Sequence, residues 1–237
     1  MHGDDRILTV SGVSKNYRGL RPLRVKQLEV HSGEAIGLVG FDQVTAEVLV
    51  DLITGATVPE AGEIVAFGRA TTAIRDGDEW LHTLDAFGLL SERAVLVEQF
   101  SAEQNLTLPL SLELDAVEAP LRRRVRALGE EVGLEAGELD LPVSQLSALG
   151  KLRVRLGRAL ALDPRLLLAE HPNATLSADE TTAFAAGLSR ILAWRRLAAL
   201  VMTADRRFAS AVAERVLTLQ PGTGDLAVSS VWRRWFS

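Results

Sequence analysis

The stretch GFDQVTAEV, residues 40–48, lies between a compact apolar run, Ala35–Val39, and an apolar repeat at helical spacing made of Val48, Leu49, Leu52 and Ile53. A glycine at a strand-to-helix junction is where a backbone can close around a phosphate. Glycines let the amides converge, a lysine reaches the β and γ oxygens, and a Ser/Thr hydroxyl holds Mg²⁺. This junction keeps Gly40 but sets Thr45, Ala46 and Glu47 where such a loop needs its last glycine, its lysine and its hydroxyl. Trading a lysine for a carboxylate moves the local charge by about two units, and one unit charge at about 4 Å is worth roughly 4 kcal/mol at an effective dielectric of 20. Polyphosphate is repelled. Glu47 is a group that a hard cation accepts, but it restores neither the lysine nor the glycines.

The elements around this loop alternate. Residues 7–13 and 25–30 read as short strands, with Gly19 and Pro22 between them, and residues 35–39 as a strand buried on both faces. GEIVAFG, 62–68, is another strand between glycines. Residues 78–90 are predicted as a helix with Trp80, Leu81, Leu84 and Phe87 on its core-facing stripe, and residues 94–97 as a buried strand. Leu121, Val125, Leu128 and Val132 mark a second amphipathic helix; Arg122, Arg123, Arg124 and Arg126 on its other face read as solvated and paired with Glu130 and Glu131.

A long helix is predicted over 147–162, a buried strand in RLLLAEHP, a helix over 178–194 and a strand in AALVMT. A helix over 206–213 and a last strand in RVLTL, closed by QPGTGDL, complete the order. Strands alternating with helices imply an α/β chain built on a largely parallel sheet covered on both faces. Residues 101–150 carry helices and no strong strand, so they are expected to form a helical subdomain inserted into a core of residues 1–100 and 151–237.

The 237 residues are 47% hydrophobic and 24% charged, with a net charge of −5. That balance suits a globular core and gives no reason to expect nucleic acid as a partner. The absence of cysteine excludes disulfides, thiolate metal sites and cysteine nucleophiles. No apolar run reaches the roughly 18–20 residues of a membrane span, and MHGDDRILTV lacks a signal-peptide pattern. The expectation is a cytoplasmic chain that meets the inner or plasma membrane only through a spanning partner.

Taken in order, these segments resemble the ATP-binding cassette subunits of ABC transporters over nearly the whole chain, which implies a P-loop NTPase-like sheet preceded by antiparallel strands. The resemblance puts Tyr17 at the adenine-stacking aromatic and aligns GLVGFDQVTAEVLVDLITG with the phosphate loop and its helix. It sets Gln43, Thr45, Ala46 and Glu47 at the second glycine, third glycine, lysine and Mg²⁺ hydroxyl. VEQFSAEQNL resembles the Q-loop, with Gln99 as its glutamine. VSQLSALGKLRVRLGRALALDPRLLLAEHPNATL resembles the signature helix, Walker B strand and D-loop. Within it Ser147 falls in the signature loop, Glu170 at the metal-binding aspartate, His171 at the catalytic glutamate and Ser177 at the D-loop aspartate. Ala204 falls at the switch histidine.

The departures concentrate where nucleotide would sit, while the core pattern stays readable. The resemblance therefore implies a degenerate cassette: no confident catalytic or metal residue, hydrolysis lost, and ATP and Mg²⁺ expected on family grounds alone. Tyr17, Gly40, Thr45, Ala46, Glu47, Gln99, Ser147 and Glu170 form the degenerate nucleotide surface. The implied partners are a transmembrane permease and a second cassette, identical or not, and flanking similarity favours lipid-serving systems. Two alternatives stand beside this reading: a working ATPase using Glu47, Glu170 and His171, and a scaffold outside transport. By family analogy the permease contact is residues 99–109, with Leu106, Leu108 and Leu110 as its apolar patch. The VWRRWFS tail is expected either to enter a partner or lipid interface or to fold back on its own domain.

Overall fold

The computed structural model describes residues 5–17, 19–114 and 117–228. Two sheets share the chain. Strands β1 (Arg6–Lys15), β2 (Leu23–His31), β4 (Ala61–Ala66) and β5 (Arg69–Ala70) form an antiparallel sheet in the order β2-β1-β4-β5. The second sheet contains β3 (Ala35–Val39), β6 (Phe87–Leu90), β7 (Leu166–Glu170), β8 (Ala198–Met202), β9 (Arg215–Gln220) and β10 (Asp225–Val228). Its order is β10-β9-β3-β8-β7-β6, with every neighbouring pair parallel except β9 and β10.

The apolar runs explain the layering. β7 and β8 are buried at every position, as strands covered on both faces must be. Successive side chains point to opposite faces, and the two cores divide accordingly. Leu166, Leu168 and Leu200 join the antiparallel sheet and helix α1 (Gln43–Ile53). Leu167, Ala169, Ala199 and Val201 face the helices on the other side.

Those helices include α3 (Ala102–Thr107), α4 (Ala119–Glu131), α5 (Ala136–Leu139), α6 (Ala148–Leu160), α7 (Ala178–Arg195) and α8 (Arg206–Val212); α2 (Gly77–Leu84) lies earlier in the chain. α6 runs through residue 150 without a break.

Several expectations are corrected. The helix predicted over 78–90 stops at Leu84, and Phe87–Leu90 pairs with β7 from Phe87↔Leu166 to Leu90↔Ala169. A four-residue apolar run cannot be assigned from periodicity alone; here tertiary pairing decides it. A Cβ on Gly88 would stand 2.6 Å from the Ala159 carbonyl, so this strand passes α6 too closely for a side chain. Residues 94–97 form no strand; Val95 is 75% exposed and only Leu96 is buried. QPGTGDL turns the chain into β10 instead of closing the fold.

The arginine face of α4 is solvated but paired differently. Glu103 takes Arg122 and Arg126 (3.4 and 2.6 Å), Asp163 takes Arg124 (3.1 Å), and Glu131 is held by Arg195 (2.6 Å). Leu106 is 0% exposed inside the helical core, against Gly129 and Gly157, so it cannot serve as a docking residue. The VWRRWFS tail lies outside the described residues.

Candidate functional site

The carboxyl end of a parallel sheet is where ligands gather in open α/β folds, and the candidate residues meet there. β3 ends at Val39, and Gly40 follows at φ 92°, where a Cβ would come within 3.0 Å of the Leu219 carbonyl. The chain then seats Phe41 in the core, 3% exposed. Helix α1 starts at Gln43, its N-cap being Asp42.

The cap closes on itself. The Thr45 N–H donates to Asp42 Oδ1 (2.8 Å), while the Asp42 N–H donates to Thr45 Oγ1 (2.9 Å). This is a capping box in which a side-chain carboxylate satisfies an otherwise orphaned helix donor. Thr45 therefore holds Asp42 below the usual carboxylate range, first through its backbone and then through its hydroxyl; the His171 ring adds to the effect. Ala46 is 0% exposed and packs in the core. Glu47 accepts from Gln43 Nε2 at 2.9 Å along the same helix.

Tyr17 joins this end of the sheet. Burial, and then the Asp42 charge, raise its phenol above the ordinary value, so ring and carboxylate sense each other. His171 follows β7 at φ 45°, and its N–H donates to the Met202 carbonyl (2.8 Å). Its Nε2 is buried and has no hydrogen-bond partner among the described residues. Asp42, bonded to Thr45, thus lies within electrostatic reach of both Tyr17 and His171.

Glu170, one residue earlier, looks elsewhere. It is 2% exposed and accepts from Ser91 Oγ (2.6 Å) and Arg93 Nε (3.2 Å), with a further short contact from Arg93 Nη2. Arg93 Nη1 also donates to Asp51 on α1 (3.0 Å). Burial opposes the Arg93 charge, but the bonds to Glu170 and Asp51 outweigh it and raise its affinity for its proton. Both Glu170 oxygens are occupied from within the chain.

Ser147 and Ala204 sit on neighbouring elements. Ser147 caps α6 by accepting from the Gly150 N–H (3.0 Å). Ala204 is exposed after β8, beside a network in which Thr203 Oγ1 donates to Asn173 Oδ1 (2.8 Å) and Asn173 Nδ2 to Asp205 (3.3 Å). A groove of about 780 Å³ opens here, lined by His171, Asn173, Thr181, Asp205 and Phe208 among others.

Gln99 lies in the segment between β6 and α3. Its neighbour Glu98 pairs with Lys151 of α6 (3.3 Å) and accepts from the Ser144 N–H (3.0 Å), which ties this segment to the helical side. The residues that follow β6 and reach the end of β7 are Ser91 and Arg93. Reading Phe87–Leu90 as helix hid them, because a strand's carboxyl end draws attention to its next residues and a helix's does not. Asp42 carried a signal that was missed: Asp followed by a hydroxyl residue three positions on is an N-cap pattern.

Residues 23–174 match the family model described as ABC transporter. The chain belongs to the ABC transporter family. Among curated relatives, the lipoprotein-releasing system ATP-binding protein LolD of Psychrobacter arcticus is 29% identical over 82% of this cassette and 85% of its own length. The Fe(3+) ions import ATP-binding protein FbpC of Serratia marcescens is 27% identical over 91% of the cassette, which spans only 61% of that relative. Among solved structures, the ATP-binding cassette MJ0796, a dimer bound to ADP and Pi, superposes with a TM-score of 0.76 at 21% identity, covering 95% of this cassette and all of that chain. That likeness concerns the fold. The two-sheet architecture and inserted helices are those of an ABC cassette.

Proposed function

We propose that this cassette is an ABC transporter subunit of the ATP-binding type that does not hydrolyse ATP and serves as the structural or regulatory half beside a permease or an active cassette. One observation carries the reading: the Asp42 carboxylate sits on the Thr45 amide at the N-terminus of α1, where an anion would otherwise bind. Triphosphate and Mg²⁺ do not fit the residues present. The lysine position is a buried alanine, and the carboxylate at the metal position is engaged by Arg93 and Ser91. Phosphoryl transfer depends on positioning and electrostatics, and both are directed inward here.

Localisation follows from partners in this reading. Among the described residues no helix is long and apolar enough to cross a membrane, so a cytoplasmic cassette would reach the bilayer through a permease. Exposed Val95 (75%) and Leu112 (86%) flank the start of the helical segment and replace Leu106 as the apolar docking candidates. One relative is named for lipoprotein release and another for ferric ion import; the lipid-serving assignment draws support from the first.

Calorimetric titration of the purified chain with Mg-ATP to about 1 mM, with phosphate release followed in parallel, tests the proposal. No heat and no release are expected. Micromolar binding with turnover abolished by His171→Ala would replace it with the atypical ATPase.

A further inference from the structure

Among the described residues, four non-glycine residues hold positive φ, and only His171 is at the site above. The other three, Phe67 (54°), Asp163 (52°) and Arg196 (51°), gather where β7 and β8 begin, at the opposite pole of the sheet. L-residues adopt this backbone at a steric cost that glycine avoids, and such outliers cluster at ligand sites.

A pocket of about 470 Å³ opens at this pole, with Ile7, Pro164 and Leu197 as its apolar wall. Its charges do not cancel. Arg195 is saturated by Glu131 (2.6 Å through both Nε and Nη2) and by Asp163 (3.1 Å). Asp163, the acid in the lining, is shared with Arg124 (3.1 Å). The Arg165 guanidinium lies over the Phe67 ring, 4.4 Å from its centroid, and makes no hydrogen bond or ion pair among the described residues. Arg196 has no side-chain partner among them either. Two exposed guanidinium groups are thus left over in a chain of net charge −5. Trp194 lines the same pocket and is 73% exposed, although a side chain of this kind is normally largely covered.

We propose that this pocket is a second ligand site, distinct from the altered phosphate loop, for a phosphate monoester carried on a planar ring. Guanidinium groups present paired N–H donors that match phosphate oxygens. The indole offers a face on which a flat ring stacks. The volume falls within the range of small-ligand pockets and suits a mononucleotide-sized body. The site owes nothing to Asp42, Thr45 or Glu170, so its failure and the failure of the pseudo-ATPase reading are separate results.

The test is calorimetric titration of the full chain with AMP to about 5 mM, with adenosine and inorganic phosphate as half-probes. Submillimolar AMP binding is expected, with each half-probe at least about tenfold weaker. Arg165→Glu/Arg196→Glu should abolish AMP binding, and Trp194→Ala should weaken it about five- to tenfold. Tyr17→Ala should leave it unchanged, since that ring belongs to the other pole. All three pocket residues are exposed, and thermal melts of the variants check that they fold. A shift of the Trp194 indole N–H resonance on adding AMP to the unaltered chain supplies evidence that needs no variant. The proposal is overturned by absence of AMP binding, by AMP binding that survives the double reversal, or by loss of binding in Tyr17→Ala. Phosphate alone binding as tightly as AMP overturns it too.

Discussion

Arg93 and Glu170 form a closed pair at the carboxyl end of the sheet, with Arg93 Nε donating to Glu170 Oε2 at 3.2 Å. The Glu170 side chain is 1% exposed and that of Arg93 is 41% exposed. Removing the cation strands a buried carboxylate. Such a loss costs about 3–5 kcal/mol for a fully buried pair, and solvent at Arg93 brings it toward about 2 kcal/mol. Urea unfolding of Arg93→Ala should show that decrease, and Arg93→Gln/Glu170→Gln should recover most of it. A neutral single variant would mean that Ser91 alone satisfies Glu170.

On the proposed reading, restoring the lysine by itself should not confer nucleotide binding. Ala46 is 0% exposed, so Ala46→Lys forces a longer, charged side chain into packed surroundings at a cost of about 2–4 kcal/mol. Calorimetry with Mg-ATP should remain flat while the melting temperature falls. Tight binding by this single variant would show that the loop still opens.

The cap itself has a measurable value. Asp42→Ala removes the acceptor for the Thr45 amide and should destabilise by about 1 kcal/mol, read as a lower urea midpoint with unchanged slope. Asp42→Asn keeps an acceptor and should lose less.

Acid sensitivity has a defined contributor on α2. Arg69, with the Arg75 amide, pushes Glu79 down to about 2 from an ordinary 4.5. A depressed carboxylate contributes stability that is complete above the unfolded value and is lost as pH falls through the folded one. Glu79→Gln should therefore flatten the decline in urea midpoint between about pH 4.5 and 2 relative to the parent chain. Parallel declines in the two proteins would remove Glu79 from the acid response.

Two leucines separate folding from docking. Leu106→Asp places a charge at a fully buried position and should unfold the helical segment, losing more than about 3 kcal/mol. Leu112→Asp and Val95→Asp should leave stability within about 0.5 kcal/mol while reducing recruitment to permease-containing membranes. Recruitment unchanged by both surface variants would place the contact elsewhere.

Much of the parallel sheet was legible because its strands are uninterrupted apolar runs. Ala35–Val39, Leu166–Glu170 and Ala198–Met202 could hardly be placed except between two covered faces. Phe87–Leu90 was not legible: four apolar residues fit the end of a helical stripe as well as a strand, and only pairing with β7 separates them. That misreading carried over to the site. Arg93 looked like one more surface charge. The cap at Asp42 was written in its spacing to Thr45, but comparison with a phosphate loop drew attention to absent groups and away from the one that fills their place.

The three-residue reach between Asp42 and Thr45 has a kinetic meaning. An acceptor attached to the same chain never diffuses away, so its local concentration at the Thr45 amide does not vary with the solute outside. A free phosphate must compete with a tethered rival that re-forms its bond after every thermal opening. On the proposed reading, a rise or fall in cellular ATP would leave this helix terminus in one state, and a partner that touches it would meet a constant surface where an ordinary sensor would present a fluctuating one.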